Sequence, residues 1–185
     1  MYMTTAHDPG GKVRIKLPDH VTSHAEFSAC GRYRQLLTRQ WDTQLPWIMF
    51  VGMNPSTADV THDDPTVRKE VSYARKWGYG GLIKCNVMDY RITNPKGLLA
   101  EDVTVCSDQN LIMIRKHLAD VDQVVAAWGK LPLKLKHHAD KLYGVLMEHQ
   151  KTITCLGVNL DGSPKHPLYV RGDKQLEPYG DHHAS

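Results

Sequence analysis

The sequence predicts an α/β protein: a three-layer α/β/α sandwich around a central, mostly parallel, four-stranded sheet. Four short apolar runs, WIMFVG (47–52), GLIKCNV (81–87), QVVAAWG (123–129) and KTITCLGV (151–158), have the length and continuity of strands buried on both faces. Segments of helical spacing separate them, and strands that alternate with helices build βαβ units with helices on both sides of the sheet. A length of 185 residues suits one domain. Its expected limits are residues 25–171, after an N-terminal extension (1–24) and before a polar, mobile C-terminal tail (172–185).

The elements follow in order. VRIKL (13–17) and GRYRQLLTRQW (31–41) alternate like strands and, being rich in basic residues, are predicted as peripheral N-terminal strands outside the central layer. The first buried strand runs into MNPSTADVTHDDP, a loop dense in turn formers. From Pro65 onward Val67, Val71, Ala74 and Trp77 recur at helical steps, with Asp63 or Asp64 as cap and GYGG as stop signal. After the second strand, the loop MDYRITNPKG leads to a short helix and then a longer one over 107–121. The third strand precedes an amphipathic segment carrying Leu131, Leu135, Leu142, Val145 and Leu146 on one side. LYVRG (168–172) is a candidate fifth element, and there is no internal repeat.

Composition excludes several classes. The hydrophobic share of 41% is that of a globular protein. No run approaches the roughly 18 apolar residues of a membrane span, and no signal peptide is visible at the start, so no membrane and a cytoplasmic location are expected. Twenty-three Lys plus Arg against twenty Asp plus Glu leave +3, which argues against binding nucleic acid through bulk charge, though not against a local basic face. Cys30, Cys85, Cys106 and Cys155 contain no C-x-x-C pair, so neither a metal nor another cofactor is expected, and Cys85 and Cys155 read as small buried hydrophobes. His137 and His138 are adjacent and would point about 100° apart on a helix, so they cannot chelate as an i, i+4 pair would. His182 and His183 read as solvated.

Ligands of such sheets bind outside the carboxyl ends of the strands, which directs attention to the loops after Gly52, Asn86, Trp128 and Leu156. The first, GMNPSTAD, offers Gly52, Met53, Asn54, Pro55 and Ser56; an Asn amide can hold a water or a base edge but cannot take a proton. Asp64, close behind, either activates water or caps the helix. The second loop brings Asn86, Asp89 and Arg91 off a strand end. Asn86 either stitches loops together or reads a planar ligand, and Asp89 and Arg91 either pair with each other or face that ligand. His166, before a proline, is a candidate electrophile or oxyanion donor, or a structural residue.

The succession GMNPSTAD, DDPTVRKEVSYARKWGYGGL, NVMDYR, VVAAWG and CLGVNLDGSPKHPLYV resembles the domain-of-unknown-function 1643 family over about residues 25–171. More remotely, the layout is similar to the uracil-DNA glycosylase superfamily, with GMNPS matching its first motif and HPL (166–168) its second, where Leu168 replaces the usual Ser. The NVMDYRITNP stretch is similar to the thermophilic branch but lacks the cysteines of its iron–sulfur cluster. This resemblance implies a uracil-DNA glycosylase-like fold and a partner that is nucleic acid, DNA before RNA, or a nucleotide. It implies Asn54, His166 and Asp64 as catalytic residues, with Asn54 orienting water, His166 stabilising the departing base and an aspartate assisting. Gly52, Met53, Pro55, Ser56, Asn86, Asp89 and Arg91 would then bind the base, and Arg32, Arg34, Arg68 and Lys69 the phosphates. The alternatives are a recognition module without chemistry and an enzyme of free nucleosides or nucleotides.

Overall fold

The computed structural model describes residues 13–180; what the sequence suggests about the first twelve residues, and about His182 and His183, lies outside them. The chain runs β1 (Ile15–Lys16), β2 (Thr22–Phe27), β3 (Arg34–Gln40), β4 (Trp47–Gly52), β5 (His62–Asp63), α1 (Pro65–Lys76), β6 (Gly81–Asn86), α2 (Gln109–His117), β7 (Gln123–Ala126), α3 (Lys136–Glu148), β8 (Ile153–Cys155) and β9 (Glu177–Pro178). Short 3-10 turns lie at Pro95–Leu99, Leu118–Asp120, Leu133–Leu135 and Pro167–Tyr169.

β4, β6, β7 and β8 are the four apolar runs, and they pair in parallel in the order β6-β4-β7-β8. They are the centre of a larger, mixed sheet of seven strands, ordered β2-β3-β6-β4-β7-β8-β9. GRYRQLLTRQW is therefore not peripheral: it supplies β3, which lies inside the sheet, antiparallel to both β2 and β6. Its charge is what misleads, because Arg34 and Arg39 are buried rather than solvated. β1 does stand apart, in a two-stranded pairing with β5.

Structured elements also extend past both expected limits. β2 begins at Thr22, so a boundary at residue 25 cuts a strand whose polar alternation, TSHAEF, hid it. The stretch 172–180 is no free tail: β9 pairs with β8, and the buried Tyr179 ring meets Trp128 edge-on at 5.6 Å. LYVRG forms no strand, because Pro167 opens a 3-10 turn there.

Strand alternation sorts the core. Ile48, Phe50, Leu82 and Val125 face α1, meeting Tyr73 and Ala74. Met49, Val51, Ile83, Cys85, Val124 and Ala126 face α2 and α3, meeting Ile114, Leu118, Leu142 and Leu146. Helices thus cover both faces. α1 starts where the sequence signals it, with the Asp64 side chain accepting from Val67 N at 2.9 Å and Pro65 in the first turn. It stops at Gly78, whose φ of +84° is the left-handed conformation of a helix-ending glycine.

One irregularity decides where a cation goes. Glu26 pairs with Leu36 and Phe27 with Arg34, so Gln35 is an extra, bulged residue on β3. Gln35 and Leu36 both turn to the α2 side, where Gln35 Nε2 donates to Asp89 at 3.1 Å and Leu36 joins the core. Arg34, Leu37 and Arg39 all turn to the α1 side. Among the described residues, no helix is long and apolar enough to cross a membrane.

Candidate functional site: a cleft at the ends of β4 and β6

A cleft of about 100 Å³ opens at the carboxyl ends of β4 and β6. Its floor is made by the last residues of the two strands, Gly52 and Asn86, which stand opposite each other in register. A Cβ on Gly52 would lie 2.6 Å from Lys84 Nζ and 2.9 Å from Asn86 Oδ1, so only glycine leaves room for the two side chains that share this floor. Asn86 is 1% exposed, and neither Nδ2 nor Oδ1 has a hydrogen-bond partner. Burying both halves of an amide unpaired is costly, about 1–3 kcal/mol for each group, and a group that entered the cleft could supply the partners.

Charge lies just beneath. Lys84 Nζ donates to Glu70 Oε1 at 2.5 Å, with both side chains almost fully buried. Burial pushes the Glu70 carboxyl up, against the pull of the Lys84 ammonium. Arg34, 1% exposed, forms another wall. Its Nη1 donates to Ala58 O at 2.8 Å, its Nε has no acceptor, and no carboxylate of the described residues lies within ion-pair distance. Burial pulls the guanidinium down to about 10, with Asp64 the principal charge that opposes this.

The first loop forms the rim. Asn54 Nδ2 donates to Ile92 O at 2.7 Å and to Pro55 O at 3.0 Å. Two carbonyls fix which end of the amide is nitrogen, so Oδ1 is the end left to act, and it can only accept. Val87 N to Gly52 O, Met88 N to Met53 O and Ile92 N to Pro55 O tie the first loop to the second, and the Ser56 and Thr93 hydroxyls meet at 3.2 Å. Asp64 reaches the cleft while capping α1, and Thr66 and Val67 of the first helical turn stand beside it. His166 closes the far side. Its Nδ1 accepts from Leu168 N at 3.3 Å, which places the proton of the neutral ring on Nε2. Gly129, after β7, packs so near that a Cβ there would lie 3.3 Å from His166 Cβ.

Of the residues expected in the site, Gly52, Met53, Asn54, Ser56, Asp64, Asn86 and His166 line this one cleft. Pro55, Asp89 and Arg91 do not. Asp89 is buried on the other side, accepting from Ser107 N at 2.7 Å, from Ser107 Oγ and from Gln35 Nε2. Arg91 donates to Gly31 O at 2.9 Å and stacks over Phe27, and it makes no ion pair with Asp89. The expected phosphate-binding cations do not gather at the mouth. Arg34 lies inside the cleft, Arg32 is exposed away from it, and Lys69 sits over the Tyr73 ring. Arg68, Arg75 and Lys76 line a separate groove with Leu17 and Val71. Arg39 is fully buried on Asp63. Lys84, Glu70, Thr66 and Thr93 are additions. A lysine inside GLIKCN and a glutamate on the apolar face of α1, between Val67 and Ala74, were the available signals for the first two. Among the described residues, no three His, Cys, Asp or Glu side chains form a group that could hold a metal ion.

These features define a mixed α/β protein with a polar cleft at the ends of its parallel strands. The family described as protein of unknown function DUF1643 matches residues 32–168, most of the chain, and the chain belongs to that family. No curated protein and no solved structure gives a significant match.

Proposed function

We propose that the cleft binds a nucleobase and that the protein hydrolyses an N-glycosidic bond. The observation that carries this reading is Asn86, a buried amide with both its donor and its acceptor unpaired at the floor of an open cleft. A nucleobase edge presents the complementary pair, and a polar site left unpaired without its ligand discriminates strongly for it. The order of the motifs GMNPS and HPL and the four central parallel strands support a uracil-DNA glycosylase-like ancestry for this sheet and cleft.

In that reaction the bond between C1′ and the base nitrogen breaks, and the base leaves with negative charge on its oxygens. Nε2–H of His166 donates to that charge; one such donor is worth roughly 3 kcal/mol in the transition state. Asn54 Oδ1 accepts from the attacking water and aligns it with C1′. The water oxygen bonds to C1′ and its proton passes to Asp64 or to solvent. The departed base then takes up a proton to become neutral.

A second reading, recognition of a base without chemistry, is favoured by a specific feature. Asp64 commits a carboxylate oxygen to capping α1, and Asn54 commits its donors to loop carbonyls, so the first loop holds no dedicated general base. The experiment that separates the two uses oligonucleotides carrying uracil, mismatched thymine or modified pyrimidines, together with the free nucleoside monophosphates, with wild type and Asn86→Leu. Alkali-labile sites in the oligonucleotides, or free base released from a monophosphate, formed by wild type and abolished in the variant establish the hydrolase. Absence of both, with a free base still raising the wild-type melting temperature, leaves the recognition module.

A further inference from the structure

Arg34 is a buried cation with unused hydrogen-bonding capacity. The guanidinium is a planar fork of five donors that can never be discharged cheaply, and a buried charge without a partner is among the most expensive arrangements a fold can hold. Here one donor is spent on Ala58 O, Nε has no acceptor, and the side chain forms a wall of the cleft. The neighbouring cation, Lys84, is already neutralised by Glu70. Asp64, the acid beside Arg34 in the cleft, holds the α1 cap and makes no ion pair with the guanidinium. The first turn of α1 reaches the same wall through Thr66 and Val67, so the positive end of the helix adds to the field there.

From this we infer that the ligand of the cleft is a nucleotide rather than a nucleoside, with the Arg34 guanidinium as the counter-ion of its phosphate and the Asn86 amide as the reader of its base. The inference rests on the nucleobase reading for Asn86 only; the anion requirement comes from Arg34 alone. The cations that line the cleft, Arg34 and Lys84, are buried within it, where a phosphate that enters with its base reaches the guanidinium.

The test measures binding by calorimetry for the common nucleosides, their 5′-monophosphates and inorganic phosphate, with wild type, Arg34→Lys and Arg34→Met. Each variant's melting temperature without ligand reports on its folding. The expected result is that the best-bound monophosphate binds wild type at least about tenfold more tightly than its nucleoside, as a charge-assisted, bidentate contact should. That gap narrows in Arg34→Lys, which keeps the charge and loses the fork, and closes in Arg34→Met. Should Arg34→Met fail to fold, Arg34→Lys and competition by inorganic phosphate decide the matter. A nucleoside that binds wild type as well as its monophosphate overturns the inference and leaves the base reading standing. Monophosphates bound no better than inorganic phosphate, with no nucleoside bound, overturn the base reading and leave the anion site standing. No binding by any of the probes removes both.

Discussion

Gly52 and Asn86 stand opposite each other at the ends of adjacent parallel strands, and a Cβ on Gly52 would come within 2.9 Å of Asn86 Oδ1. The glycine is therefore a spatial requirement of the cleft floor. Gly52→Ala should destabilise the protein by about 1–3 kcal/mol, the usual cost of overpacking, because the Lys84 ammonium it also meets is held by Glu70 and cannot swing away freely. Urea denaturation gives that value. Ligand-induced stabilisation should vanish in the same variant, and retention of both stability and binding would show that the floor can rearrange.

Asn54 is held by its nitrogen. Replacing it with aspartate, the same shape, would set a carboxylate against the carbonyls of Ile92 and Pro55, which have no proton to give. Asn54→Asp should consequently be less stable than Asn54→Ala, by about 1–3 kcal/mol. Thermal melts of the two variants compare them directly. The reverse order would mean that the amide's assignment is wrong and that Asn54 turns its nitrogen to the cleft.

Asp89 has a pH signature. Burial raises its carboxyl above the ordinary value, against the hydrogen bonds from Ser107 and Gln35 that favour the charged form. The folded state then holds this proton at pH values where the unfolded chain, near 4, has released it. The stabilisation is complete below about pH 4 and is lost as the pH rises through the folded value. The difference in melting temperature between wild type and Asp89→Asn should grow in favour of wild type as the pH falls from 7 towards 4.5. A difference that shrinks over that range would mean that the hydrogen bonds outweigh burial.

Two arginines that look alike in sequence should behave oppositely. Arg39 donates to Asp63, Ser23, Thr38, Asp59 and His62 from a fully buried position, while Arg68 is exposed on α1. Arg39→Ala would leave Asp63 as a buried charge without its partner, at a cost of about 3–5 kcal/mol. Arg68→Ala should stay within about 0.5 kcal/mol of wild type. Guanidinium unfolding curves for the pair settle it, and a mild Arg39→Ala would argue that water reaches Asp63.

What could be read from the sequence was what local pattern encodes. WIMFVG and GLIKCN are apolar along their whole length and were recognisable as central strands; Asp64 and Pro65 announced the start of α1. Asn54, Asn86 and His166 were recognisable as cleft residues because strand-end loops of parallel sheets converge. β3 and β9 are not legible as members of the main sheet, because an antiparallel strand owes its place to partners far along the chain, and because basic residues such as Arg34 and Arg39 point to an outer strand. Lys84 is hidden for a similar reason. A lone lysine in an apolar strand acquires meaning only beside Glu70, fourteen positions earlier and on a different element.

The extra residue in β3 has a consequence for how this family can vary. Strand parity is binary: every single-residue slip exchanges the two sides of a sheet. In an unbroken strand of this length Arg34 would share the side of Leu36, in the layer of Ser107 and Asp89; because Gln35 and Leu36 together face that side, Arg34 returns to the phase of Leu37 and Arg39 and opens onto the cleft. A relative that lost Gln35 would pair regularly and keep the cleft cation, giving up only the amide that Gln35 sets on Asp89. One that kept every residue but paired without the bulge would turn the arginine away from the cleft.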